Sequence, residues 1–270
     1  MTPILSEIHI YPIKSCGGIS LQTVEVGPKG PHLDRRWMLV SEEGRFISQR
    51  EHPSLALVAV RHEKQHLFIK IPTGDEIKIP ISNEGPDVNV TVWKSDVLAK
   101  DQGNEAAQFF SDYLGRTCRL VFFPDQSKRQ VDQQYAKNPN DEVGFADGFP
   151  FLLISEGSLD TLCRKMGTPL LMNRFRPNLV VTNCEAFAED TWHTIKIGPI
   201  SFLVAKPCSR CTVTTIDQET GIKGVEPLQT LATFRKEDKK ILFGQNLVHE
   251  NSGFLKVGLP VEVLCQKEHE

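Results

Sequence analysis

Two thiols and a guanidinium fall within four residues in Lys206-Pro207-Cys208-Ser209-Arg210-Cys211, and a β-branched run, 212–216, follows at once. A Cys-x-x-Cys pair can serve as half of a zinc site, as a thioredoxin-like dithiol, or as a soft-metal or sulfur-carrying thiolate. A thioredoxin-type pair opens a helix, whose dipole lowers the thiol pKa. Residues 212–216 are stiff at χ1 and predict a strand, which speaks against that reading. Zinc takes four ligands. The chain has no second Cys-x-x-Cys, and the zinc-like pair His62 and His66 lies far upstream in a polar turn. Beside a weakly supported structural zinc site, two readings stay open. One is a thiolate at a strand entrance beside Arg210, suited to a soft metal or to sulfur chemistry. The other is a pair of small thiols buried in a barrel.

Three further motifs place cationic donors at strand ends. In Tyr11-Pro12-Ile13-Lys14-Ser15-Cys16-Gly17-Gly18 a strand runs into Lys, Ser and paired glycines, a combination suited to an oxyanion or phosphate nest built from backbone amides. Asp34-Arg35-Arg36-Trp37 sets two guanidiniums at a strand start. In Asn173-Arg174-Phe175-Arg176-Pro177-Asn178 an extended chain would put Arg174 and Arg176 on one face, as bidentate donors for phosphate or carboxylate. Each motif alone also reads as an ordinary turn or a solvated pair. Their shared chemistry is a cationic surround for one soft ligand.

The elements that must position these residues are mostly short strands. Alternation predicts strands around Ile4, Ile8 and Ile10, a hairpin of 37–40 with 45–48 about the turn 41–44, and strands at 58–61, 67–71, 76–81, 88–93 and 119–123. Asn104 is expected to cap a helix that runs through Tyr113 and stops at Gly115. Residues 124–150 are polar and loop-like, long enough to mark a domain boundary or a segment covering a site. Beyond them a helix at 155–166 ends at Gly167, another is expected at 226–235, and strands at 178–182, 193–197, 200–205, 212–216, 243–250 and 255–264. The expected class is mainly β with some helices (α+β). Its two parts are an N-terminal β-barrel over 1–124 and a second β-barrel over 125–270.

The 270 residues carry a net charge of −3, which gives no global pull toward nucleic acid or an anionic membrane. No apolar run approaches the roughly 18 residues of a membrane helix. Seven cysteines without a framework spacing, and a start without a signal peptide, lead to the expectation of a cytoplasmic protein. Glycine-rich nucleotide fingerprints, His-Glu-x-x-His and Gly-x-Ser-x-Gly are absent from the sequence.

Taken in order, the Tyr-Pro-Ile-Lys-Ser-Cys opening, Asp-Arg-Arg-Trp, Arg-Phe-Arg-Pro-Asn, Cys-Ser-Arg-Cys-Thr-Val-Thr-Thr-Ile-Asp and Phe243-Gly244-Gln245-Asn246 resemble the MOSC-domain family. The similarity is to its branch of mitochondrial amidoxime reducing components and bacterial YcbX-type proteins, and it runs from about Ile4 to Leu264. The resemblance implies a molybdenum cofactor (Mo-molybdopterin) bound between the N-terminal barrel and the MOSC barrel, with Cys211 as the metal ligand. It further implies that Lys14, Ser15, Arg35, Arg176, Asn178, Ser209 and Arg210 hold the pterin and its phosphate, that Asp147 lies close to the cofactor, and that Cys208 is a neighbour. The implied reaction is reduction of N-hydroxylated compounds (amidoximes, hydroxylamines, N-hydroxy base analogues). Two departures stand out. Asp147 is followed by Gly148 and Phe149 where animal relatives carry hydroxyl residues, and only Cys265 follows the cysteine motif. A ferredoxin-like cluster therefore has no ligands there, and the expected electron source is a separate protein. A cysteine-persulfide sulfur transferase and a non-enzymatic cofactor carrier are the alternatives.

Overall fold

A computed structural model describes residues 2–267. Its largest sheet has nine strands. Along it, Val261–Gln266, Trp192–Ile197, Ile200–Ser209, Lys240–His249, Phe151–Ser155, Leu179–Thr182, Ile4–Ile10 and Ile19–Leu21 follow one another, with Lys236–Glu237 attached to Lys240–His249. Backbone bonds from Leu5 N to Leu259 O (2.9 Å) and from Val261 N to Pro3 O (2.8 Å) draw one end of the sheet back to Ile4–Ile10 and curl it toward a barrel. The parallel neighbours Phe151–Ser155 and Leu179–Thr182 need a crossover. The helix Glu156–Met166 supplies it, with Ser155 capping its start and Gly167 ending it at φ 72°.

Three smaller sheets complete the molecule. Trp37–Val40, Arg119–Phe122, Ser95–Asp101 and Asp87–Val92 form one; Ala59–Glu63, His66–Lys70 and Glu76–Pro80 a second; Gly253–Lys256, Thr23–Gly27 and Gly30–Pro31 a third. The architecture is mainly β with three α-helices among the described residues, as the sequence indicates. One continuous hydrophobic cluster runs from Leu5 and Ile8 through Trp37, Leu67 and Phe110 to Phe151 and Phe202, so the sheets share a core. The chain enters the N-terminal sheets directly from the large one. Trp37 N donates to Pro12 O (3.0 Å), Lys14 N to Trp37 O (2.8 Å) and Arg35 N to Tyr11 O (2.9 Å).

Several local expectations are corrected. Residues 212–216 are not a strand: Thr212–Thr215 is a 3-10 turn. The hydroxyls of Thr214 and Thr215 donate to the carbonyls three residues back (3.0 and 2.8 Å), a local bond that outcompetes strand pairing. The preceding strand instead extends to Ser209. Asn104 is the first residue of the helix Asn104–Leu114 and not its cap; Gly103 takes that place at φ 91°, its N–H bonded to Asp101 Oδ1. The helix expected at 226–235 is only Leu228–Ala232. The stretch expected as strand at 255–264 splits between Gly253–Lys256, which pairs with Thr23–Gly27, and Val261–Gln266. Ser95–Asp101 is a strand that alternation did not reveal.

Candidate functional site

Where the strand Ile4–Ile10 hands over to the N-terminal sheets, a cleft opens against the end of Ile200–Ser209. It is lined by Lys14, Ser15 and Arg35 from the first sixth of the chain, by Asp147 from the long loop, by Arg176 and Asn178, and by Ser209, Arg210 and Cys211. All nine residues singled out from the sequence thus meet around one space. Five lining side chains are cationic (Lys14, Arg35, Arg50, Arg176, Arg210) and one, Asp147, is a carboxylate.

Four of the five cations, Lys14, Arg35, Arg176 and Arg210, are held by hydrogen bonds to the protein. Lys14, with a side chain 8% exposed, donates to Phe145 O (2.8 Å) and to Asp147 Oδ1 (2.5 Å). Burial lowers the pKa of its ammonium, and the Asp147 charge works against that shift. Arg35 donates to Asp34 Oδ2 (2.6 Å) and to Arg176 O (3.0 Å). Arg176 sits at φ 56° with Nη1 on Cys16 O (2.6 Å), and burial brings its guanidinium down to about 10. Both guanidiniums rest on the Tyr11 ring, 4.4 and 4.2 Å from its centroid. Arg210 donates to Phe175 O (2.7 Å) and to Cys208 Sγ (3.0 Å).

Asp147 lines the cleft and keeps 67% of its side-chain surface open toward it. Burial pushes its carboxyl up, but the Lys14 ammonium and the Trp93 indole N–H together hold it well below the usual carboxylate range. Arg129, buried beneath, fixes the loop through the carbonyls of Gly144, Ala146 and Asp147. Of the segment 124–150, residues Ala146, Asp147, Gly148 and Phe149 line the site.

The two cysteines of the motif differ. Cys208 takes the Arg210 bond and packs into a cluster with Phe175 and Phe243. Cys211 is exposed on the cleft wall just before the 3-10 turn. Among the described residues no His, Cys, Asp or Glu group of three or more gathers as a ready metal cage, and His62 and His66 lie on neighbouring hairpin strands.

Some sequence readings do not survive. Arg174 and Arg176 do not share a face: Met172–Arg174 is a 3-10 turn, and Arg174 points away to Asp217 (3.3 Å). Arg36 turns to Phe123 O and Asp125. The amides of Lys14, Cys16 and Gly17 are taken by the carbonyls of Trp37, Ile13 and Val58, so these three do not form an anion nest. Asn178 spends its amide on Leu152 N and His9 O, fixing the cleft floor. His32 and His249 do not line the cleft. Sequence reasoning missed Ser48 and Arg50, which do, and Trp93 at the rim; they come from turns with no motif of their own.

This chain belongs to the MOSC-domain family, with the MOSC N-terminal beta barrel domain matched at residues 2–117 and the MOSC domain at residues 140–262. Within it the chain is similar to amidoxime reducing components. It is 37% identical to the mitochondrial amidoxime reducing component 2 of Bos taurus, over 97% of this chain and 83% of that protein. The corresponding values for component 1 are 35%, 97% and 82% with Mus musculus and 32%, 97% and 83% with Homo sapiens.

Proposed function

We propose that this protein is a molybdenum-cofactor-dependent reductase of N-hydroxylated compounds, supplied with electrons by a separate protein. The observation that carries the reading is an exposed thiol, Cys211, on the wall of a cleft that sets five cations against one carboxylate. Such a cleft calls for an anion, and Mo-molybdopterin brings a phosphate and a dithiolene. The residues present fit it. Arg50 and Arg210 each keep a buried Nε–H without an acceptor, donor capacity that an anionic ligand satisfies. Cys211 offers the soft thiolate suited to a sulfur-rich metal, whereas Cys208 already accepts from Arg210.

Lys14, Arg35, Arg176 and Arg210 would neutralise the cofactor, Ser15 and Ser209 would donate hydroxyls, and Asn178 would hold the floor. When bound, the cofactor supplies the electron pair and the oxygen acceptor for cleaving the N–O bond, which releases amine or amidine plus water. That reaction takes up two protons. Lys14 Nζ, whose pKa is lowered by burial and which donates to Asp147 Oδ1, would supply one of them by way of that carboxylate and regain it from solvent, and solvent would supply the other. We place the protein in the cytoplasm, a reading supported by seven unpaired cysteines.

The test is molybdenum content per chain in protein from a cofactor-competent host, together with benzamidoxime reduction by a chemical electron donor. About one molybdenum with turnover is expected. Molybdenum without turnover would make the protein a carrier. A Cys211 persulfide without molybdenum would make it a sulfur transferase.

A further inference from the structure

The turn joining Asp87–Val92 to Ser95–Asp101 is two residues long, Val92 facing Ser95, and its first residue is Trp93 at φ 57°. Glycine, asparagine or aspartate is the relaxed choice there; a bulky aromatic in the left-handed region is an outlier that persists where the surroundings hold it for a purpose. Trp93 does not serve the core, since 43% of it is exposed. It is nevertheless held firmly. Its indole N–H donates to Asp147 Oδ1 (3.0 Å), the Arg50 guanidinium lies 4.5 Å from the ring centroid, and the Phe46 ring is 5.0 Å away. The outcome is a rigid aromatic surface at the cleft rim, its N–H edge directed at the one acid of the site.

That acid is half used. The bonds from Lys14 and from Trp93 both fall on Oδ1, and among the described residues no donor reaches Oδ2. A planar group packed on the part of Trp93 that Arg50 and Phe46 leave exposed would lie beside Asp147, with Oδ2 free to accept from an N–H.

We infer that Trp93 and Asp147 form the substrate-selecting end of the cleft, for planar aryl amidoximes: the ring stacks on Trp93 and the amidine NH2 donates to Asp147 Oδ2. This deepens the reductase reading and rests on it for the identity of the substrate. Stacking of this kind sets a preference of roughly three- to tenfold for aryl over alkyl amidoximes.

The experiment uses metal-loaded protein, benzamidoxime and acetamidoxime. Trp37 and Trp192 are buried, so quenching by ligand reports on Trp93. Benzamidoxime should quench emission saturably and acetamidoxime should not. By calorimetry, the ratio of benzamidoxime to acetamidoxime affinity should fall roughly three- to tenfold in Trp93→Leu and be largely rescued in Trp93→Phe, which keeps a ring but loses the N–H. Benzamidoxime binding without quenching, no binding at all, or an unchanged ratio in Trp93→Leu would overturn the platform. Turnover without quenching sinks this inference and leaves the reductase standing. Quenching and selective binding without turnover do the reverse.

Discussion

Replacing Asp147 by Asn leaves the Lys14 ammonium, 8% exposed, without a charged partner, among the Phe145 carbonyl, the Phe46 ring and a neutral amide oxygen. Breaking a fully buried pair costs about 3–5 kcal/mol and an exposed one at most about 1. Asp147 is open on one side, so an intermediate loss of about 2 kcal/mol is expected in protein freed of cofactor. With an unfolding entropy of about 2.1 cal/mol/K per residue over 270 residues, that lowers Tm by about 3–4 °C. Charge is the cause, so the deficit must depend on pH. Asp147 titrates well below its ordinary 3.8, and its contribution is full above that range and lost as pH falls through it. Lys14 titrates below its ordinary 10.5, and once alkaline pH has discharged it the wild type has no pair left to lose. The deficit should therefore hold near neutrality and shrink toward both extremes. The assay is urea unfolding of wild type, Asp147→Asn, Lys14→Met and the double variant across pH. A coupling energy below about 0.3 kcal/mol at pH 7, within ordinary additivity, would refute the reasoning.

Alkylation of folded, cofactor-free protein followed by mass spectrometry should label the exposed Cys211 and Cys265 first, and leave Cys16 unlabelled, since burial pushes its thiol up to about 12. Gly244→Ala should destabilise the protein by roughly 2–3 kcal/mol in denaturant melts, because at φ 79° its new Cβ would lie 2.6 Å from Ile154 Cγ1 and 2.9 Å from Leu153 O. Glu189 is buried with Oε2 unpartnered, and its pKa is raised by burial. Folding that holds the proton more tightly than the unfolded chain loses stability as pH rises through the raised pKa, and the stability–pH curve of Glu189→Gln should lack that fall. Lys206→Met should speed limited proteolysis within 124–150, as the Lys206 ammonium lies 4.1 Å from the Tyr135 ring and 5.0 Å from the Phe149 ring.

What the sequence made legible was local. Lys14-Ser15, Asp34-Arg35 and Cys208-Ser209-Arg210-Cys211 are contiguous, and each marks a strand end, so their types and order point to one cationic site before any contact is known. What it hid was settled by neighbours distant in the chain. Strand Ser95–Asp101 buries only the small Val97 and Ala99 beside Asp101, too little apolar signal to stand out. Residues 212–215 are β-branched, and their propensity yields to hydroxyl–carbonyl bonds within a 3-10 turn. Arg174 and Arg176 part because the chain turns between them, sending one to Asp217 and the other to Cys16 O. Arg50 and Trp93 belong to different segments and acquire meaning only where Asp147 meets them.

The claim that Cys211, and not Cys208, bonds the metal is tested most directly by molybdenum-edge X-ray absorption on metal-loaded wild type, Cys208→Ser and Cys211→Ser. Loss of one sulfur scatterer in Cys211→Ser alone is the expected result. An unchanged sulfur shell in Cys211→Ser, or the same loss in Cys208→Ser, would contradict it.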